Sequence, residues 1–158
     1  MEKGDRVSRW LFKSEPDTWG WADQVARGDA GEEWHGVRNY QARNMMRDEM
    51  KLGDRVFFYH SNCAEPGIVG IAEIVREAAP DITAENPDSE YFDPKHSAEK
   101  PRWFVVEVKL ERRLKRTITL AEMKDDPALA EMPLVRRGNR LSVMPVSAAE
   151  WAHILARE

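Results

Sequence analysis

The segment Arg55 to His60, RVFFYH, is apolar on both of its faces. Side chains alternate along an extended strand, so Val56 and Phe58 point one way and Phe57 and Tyr59 the other. Both rows are large and apolar, and water has to be excluded from each. Such a strand must be covered on both sides, as in a small barrel flanked by helices. Few architectures meet that demand, and the rest of the chain can be read for the pieces that do.

Trp10-Leu11-Phe12 is a first short strand. Lys13-Ser14-Glu15-Pro16 closes it, because Pro16 cannot donate to a ladder and disfavours helix at Glu15. Thr18 is placed to cap a short helix with Trp21, Val25 and Trp19 as its apolar stripe, ending near Gly28. Asn39 caps a stronger helix from Tyr40 to Met50. Ala42, Met45, Met46 and Met50 recur there at three- and four-residue steps, and Tyr40, Arg43 and Arg47 share another face. Leu52-Gly53-Asp54 then turns the chain into the two-faced strand, with Gly53 in a conformation other residues resist.

Gly67 to Val75 reads as the partner of that strand, and Gly70 within it marks a sharp bend or a close approach by another group. Ala78 to Pro101, with Pro80, Pro87 and Pro94 inside it and many acids, is a long excursion pinned to the body by Tyr91-Phe92. Trp103 to Leu110 is the clearest strand, rich in β-branched and aromatic residues, and it continues through a basic end to Leu114. Arg140 to Met144 is another, ended by Pro145, with Leu141 and Val143 on one face and Arg140 and Ser142 on the other. Thr119 with Glu122, and Ser147 with Glu150, have the spacing of capping boxes. The second opens a C-terminal helix that buries Trp151, Ile154 and Leu155. These pieces make five or six strands and three or four short helices, mixed rather than alternating. That favours a compact α+β barrel over a doubly wound sheet. With no internal repeat and no linker, residues 1–158 are read as one domain, a size that buries a single continuous core.

Composition narrows the class. Apolar residues are 42% and charged residues 33%, as in a soluble globular protein. No apolar run approaches the roughly 20 residues that cross a bilayer. The start, MEKGDRVSR, has no apolar signal core, and the lone Cys63 makes no internal disulfide, so a cytoplasmic location is expected. The net charge is −4, unlike a protein that coats nucleic acid indiscriminately. Its distribution is uneven: acids dominate Glu77 to Glu99, bases dominate Arg102 to Lys124, and Arg136, Arg137 and Arg140 form a third cluster. A basic face on an acidic protein and a set of solvated charges both fit that pattern.

The candidate chemistry lies between Trp34 and Asn62. His35, His60, His96 and Cys63 are scattered and lack the paired spacing of a zinc site, so no metal and no cofactor is expected. No glycine-rich loop carries the lysine and hydroxyl of a P-loop. Cys63 three residues from His60, and Lys13 beside Glu15, are the acid-base and nucleophile sets on offer. A lone half-buried thiol and a solvated ion pair are the commoner fates of such residues. Aromatic and polar residues converge more clearly. A flipped base needs flat apolar surfaces and a few fixed donors and acceptors for its edge. Trp10, Trp34 and Tyr59 are candidate walls; Ser14, Asn39, His60, Ser61 and Asn62 are candidate edge readers; Arg38, Arg43 and Arg140 are candidates for the flanking phosphates. Core packing is the usual fate of any one tryptophan, but Trp34 stands in a polar segment outside any periodic pattern.

These blocks also carry a resemblance. WLFKSEP (Trp10 to Pro16), W-x-GVRNYQARN (Trp34 to Asn44), FFYHSNCAEPGIVG (Phe57 to Gly70), the YFDPKH region and RLSVMPV (Arg140 to Val146) resemble the EVE-domain family, in the family's order and over most of the chain. The resemblance implies a PUA-like fold, a mixed β pseudo-barrel edged by helices and related to YTH domains and SRA-like readers. It further implies a polar-aromatic cavity for a modified base of DNA or RNA. Matching the family's blocks places Lys13 and Ser142 in the site as well. The pocket expected is then Trp10, Ser14, Trp34, Asn39, Tyr59, His60, Ser61, Asn62 and Ser142, with Lys13, Arg38, Arg43 and Arg140 on the backbone phosphates. The resemblance's nuclear members carry a long basic N-terminal tail that is missing here, again in line with the cytoplasm.

The function expected is a non-catalytic nucleic-acid-binding module that takes a modified or flipped-out base. Two rivals stay open. One is a small PUA-like hydrolase or RNA-modifying enzyme using Lys13 and Glu15 or His60 and Cys63. The other is a protein-interaction adaptor. No membrane partner is expected, and the assembly state, homodimer included, is left open.

Overall fold

Strand β3 (Arg55–His60) is central in its sheet, with a hydrogen-bonded strand along each edge. β1 (Arg9–Ser14) runs parallel to it, with Phe12 opposite Phe58 and Ser14 opposite His60. β4 (Gly67–Pro80) runs antiparallel, with a register shift between Phe58 and Tyr59. The computed structural model describes residues 7–158. In it β2 (Glu32–Glu33), β5 (Phe104–Thr119) and β6 (Val143–Val146) complete one six-stranded mixed sheet in the order β2-β5-β4-β3-β1-β6. β2 and β6 are its two edges, so the sheet curls without closing. The α+β class and the strand number agree with the sequence.

Each face of the sheet carries its own core. On one face Phe12, Val56 and Phe58 pack with Trp21, Trp34 and the buried side of helix α3 (Tyr40–Asp48), namely Ala42, Met45 and Met46. On the other, Leu11, Phe57 and Tyr59 pack with Met123 of α4 (Leu120–Lys124) and with Trp151 and Ile154 of α5 (Ala148–Leu155). Phe57 and Trp151 stack with centroids 3.7 Å apart. Both capping boxes form: Thr119 accepts from the Glu122 N–H and Ser147 from the Glu150 N–H, while each glutamate reaches back to its cap.

The first helical region differs from its sequence reading. It is two short helices, α1 (Pro16–Trp19) and α2 (Trp21–Arg27). Pro16 opens the first, so Thr18 lies inside it rather than capping anything. Val25 is exposed and Gln24 takes the buried position beside Trp21. α2 lies against β4, where a Cβ on Gly70 would come within 2.1 Å of the Trp21 ring. Gly70 is therefore a close approach. Pro145 does not end the last strand: it sits inside β6 opposite Trp10, tolerated because β6 is an edge. β4 runs on to Pro80, and of the pair read as pinning the following excursion only Tyr91 does so, Phe92 being exposed. Among the described residues no helix is long and apolar enough to cross a membrane.

Candidate nucleic-acid interface

A cavity of about 550 Å³ opens where β1 ends, between α1, the β2 region, the acidic excursion and the residue before β6. Lys13, Ser14, Glu15, Thr18 and Trp19 line one side; Glu32, Glu33, Trp34, His35, Gly36 and Val37 line another; Glu90, Tyr91 and Ser142 complete it. Backbone hydrogen bonds fix these segments to each other. The Lys13 N–H donates to the Ser142 carbonyl at 2.8 Å, the Ser61 N–H to the Ser14 carbonyl at 2.9 Å, and the Trp34 N–H to the Val106 carbonyl at 2.8 Å. The Ser14 hydroxyl donates to the Trp19 carbonyl, tying β1 to the end of α1. The aromatic surface comes from Trp19, Trp34 and Tyr91, three rings from three separate elements.

The rim beside Tyr91 is built on a buried carboxylate. Asp81 accepts from the Gly36 N–H at 3.0 Å, from the Arg38 guanidinium at 3.0 Å and from the Thr83 hydroxyl at 2.6 Å. Arg38 also donates to the Tyr91 carbonyl at 2.8 Å and lies over its ring. Gly36 has a φ of +84°, and a Cβ there would meet the Tyr91 ring at 2.6 Å. The ring thus rests on the glycine backbone, and only glycine permits both the turn and the contact.

Charge inside the cavity is mostly negative. Glu15, Glu32, Glu33 and Glu90 face Lys13 and His35, with Glu33 3.3 Å from His35 Nε2. Burial lowers the Lys13 ammonium and raises the Glu32 carboxyl, the latter against the pull of Arg27 and His35. Among the described residues Lys13 has no ion-pair partner. Its donors are available to a guest, as are the Ser142 hydroxyl and the carboxylate oxygens that Arg27 at Glu32 and His35 at Glu33 leave unpaired.

The residues expected from the sequence divide sharply. Lys13, Ser14, Trp34 and Ser142 line this cavity. Tyr59 does not: it is 2% exposed and packs on the opposite face of the sheet with Leu11 and Phe57. The reason is alternation, since Phe58 points to the Trp34 side, edge-on to that indole at 5.6 Å, and Tyr59 must then point away. Burial, with Cys63 nearby, pushes its hydroxyl up to about 12. Trp10 is also core, 3% exposed, with its indole N–H given to Asp54 at 2.9 Å. Asn39 is spent as the cap of α3, accepting from the Ala42 N–H. Ser61 and Asn62 form the turn after β3, Asn62 at a φ of +52°, and neither lines the cavity.

The basic residues divide too. Lys13 lies among the cavity's acids rather than on a phosphate path, and Arg38 is committed to Asp81 and Tyr91. Arg43 donates to the Arg102 carbonyl at 2.6 Å and lies over Tyr40 and Trp103. Arg140 is exposed and lines a different hollow. The rings of Trp19 and Tyr91, and the glutamates, were not in the expected site. Both rings were read as packing residues, which they also are, and nothing local in the sequence marks their second role. Among the described residues no three His, Cys, Asp or Glu side chains gather to hold a metal ion.

His60 works as a structural acceptor. Its Nε2 accepts from the Trp21 N–H at 3.1 Å, seating the first turn of α2. That lone pair is therefore engaged rather than free to serve Cys63 as a base. Burial, then the Arg113 charge, lowers its pKa from the ordinary value. A histidine held neutral when folded binds fewer protons than the unfolded chain does. Its contribution is whole above about 6.5 and is lost as pH falls from there through the lowered folded value. Melting temperature is expected to drop across that window less steeply for His60→Gln, which keeps an acceptor, than for wild type. Parallel curves in a thermal scan series would remove His60 from this role.

Residues 8–157 match the model of the EVE domain. The chain belongs to the EVE-domain family. Thymocyte nuclear protein 1 of Danio rerio is 44% identical to it over 168 residues, spanning 96% of this chain and 72% of the relative. A Pseudomonas syringae protein of known structure is 48% identical with a TM-score of 0.89, covering 94% of this chain and 98% of its own. Human THYN1 protein, solved in complex with 5-methylcytosine-containing DNA, is 40% identical with a TM-score of 0.88, covering 96% and 97%. A YTH domain of Zygosaccharomyces rouxii in complex with N6-methyladenosine RNA is 13% identical with a TM-score of 0.53, a likeness of fold alone. The EVE-domain assignment agrees with the motif blocks read from the sequence.

Proposed function

We propose that this EVE-domain protein is a reader of a modified base in nucleic acid, with 5-methylcytosine in DNA as the first candidate, and that the base enters the cavity at the end of β1. The observation that carries this reading is the cavity itself: about 550 Å³, with aromatic surface from Trp19, Trp34 and Tyr91 and a polar rim of fixed donors and acceptors. A single heterocycle needs both kinds of wall. The relative bound to 5-methylcytosine DNA is similar in fold over nearly the whole chain, which supports the choice of ligand. Electrostatics supports the mode of entry. Four glutamates repel a phosphate but accept hydrogen bonds from an exocyclic amine, as carboxylates do from cytosine N4. The base goes in and the backbone stays out. Lys13 and Ser142 supply donors for a ring carbonyl or ring nitrogen. A cytoplasmic setting is part of the same proposal.

Trp19 and Tyr91 are the test residues, because both are half-buried and neither anchors the main core. Stacking contributes about 1–3 kcal/mol per base. Tyr91→Ala and Trp19→Ala are each expected to weaken binding of an oligonucleotide carrying one 5-methylcytosine by roughly 5- to 150-fold. Fluorescence anisotropy with folded variants reads this directly. Affinities equal to wild type in both variants would place the base elsewhere.

A further inference from the structure

Beside the acidic cavity lies a second hollow of about 470 Å³ with the opposite character. Arg136, Arg137 and Arg140 line it, together with Asn39 and Gln41, and among the described residues its lining holds no carboxylate. Arg136 is 3.2 Å from Glu131. Among the described residues Arg137 and Arg140 have no ion-pair partner, and both are exposed. The loop that carries them is set in shape. Gly138 turns it at a φ of +80°, the Asn139 N–H donates to the Arg136 carbonyl, and Asn139 Oδ1 accepts from the Leu141 N–H at 3.1 Å.

The two concavities are neighbours through the chain at two points. Val37 lines the cavity and Asn39 the hollow; Ser142 lines the cavity and Leu141 the hollow. One or two residue steps separate an acidic chamber from an arginine-lined trough. We propose that the hollow seats the phosphodiester backbone flanking the base held in the cavity. The protein then sorts one strand by charge, the uncharged ring going to the glutamates and the anionic phosphates to Arg137 and Arg140. The inference rests on the base-reading function but assigns a different surface. It also moves the phosphate contacts away from Lys13, Arg38 and Arg43, whose positions or internal bonds remove them from that role. Guanidinium groups without an internal partner are the residues that take phosphate oxygens in a fork.

Each phosphate neutralised on a single strand contributes about 0.7 to the slope of log affinity against log salt. Arg137→Gln/Arg140→Gln removes two contacts from an exposed loop and leaves both cores intact. With a single-stranded oligonucleotide bearing one 5-methylcytosine, titrated between about 50 and 200 mM salt, the slope is expected to flatten by roughly 1.4. Binding of free 5-methyl-2′-deoxycytidine, which has no phosphate, is expected to stay at the wild-type value. An unchanged slope overturns the phosphate path, as does failure of the wild-type protein to bind the oligonucleotide. Displacement of the oligonucleotide by polyglutamate, with no such effect from a phosphate-bearing strand, overturns it in favour of an acidic protein partner. A flattened slope with no nucleoside binding to either protein upholds the phosphate path and removes the base cavity instead.

Discussion

Trp34→Ala is expected to destabilise the fold by about 3–5 kcal/mol, the usual cost of emptying a buried tryptophan site. The indole is 7% exposed and packs against Phe12 at 5.3 Å and Phe58 at 5.6 Å. It bridges the core of one sheet face and the floor of the cavity. A domain of this size has only about 5–15 kcal/mol of stability to lose. Chemical denaturation of the purified variant gives the number, and a loss under about 1 kcal/mol would mean the ring is not the keystone this packing implies. The same geometry makes Trp34→Ala a poor test of binding, since lost affinity would not be separable from lost structure. Trp34→Phe keeps part of the packing and is expected to fall between the two.

Asp81→Asn is expected to cost about 3 kcal/mol, the low end for breaking a buried ion pair, because Arg38 keeps some access to water. Asp81 itself is fully buried. Burial acts to raise its carboxyl, but hydrogen bonds from Thr83 and Gly36 and the Arg38 guanidinium outweigh that and hold it below the usual range. A carboxyl depressed in this way adds stability that is present above its ordinary value, about 3.9, and is lost as pH falls through the folded one. The asparagine variant should lack that acid-side dependence. It should also loosen Gly36, Arg38 and the Tyr91 ring together, since Gly36 and Arg38 share one Asp81 oxygen, Oδ2, and Arg38 in turn holds Tyr91. Weaker oligonucleotide binding and faster amide exchange at Gly36 are expected. Normal exchange at Gly36 with full stability would detach the rim from Asp81.

Local physics was legible without the fold. The two-faced alternation of Val56, Phe57, Phe58 and Tyr59 demanded a core on each side of β3, and both exist. The caps at Asn39, Thr119 and Ser147 were readable because their partners lie three residues away. Gly70 signalled a close approach, though not that Trp21 makes it. The first helix was misread for a local reason as well: Thr18 competes as a cap with Pro16, whose fixed φ suits the first helical turn and wins.

Residue types for a base pocket and the family itself were determined by the sequence alone; which side chains face the cavity was decided by tertiary structure. Trp10 and Tyr59 offer the same kind of flat aromatic ring as Trp34, and only the polar setting of Trp34 sets it apart in the sequence. Strand pairing sends the first to Asp54 and the second through the sheet to the opposite core. Trp19 and Tyr91 reach the cavity through the Ser14 contact and the Asp81 network. The Ser14 contact spans five residues, but the Asp81 network joins positions more than 40 apart, and no local period records it. The separation of an acidic chamber from an arginine hollow has the same origin: Leu141 and Ser142 are adjacent in sequence and Val37 and Asn39 only two apart, and only the packed backbone turns them into different concavities.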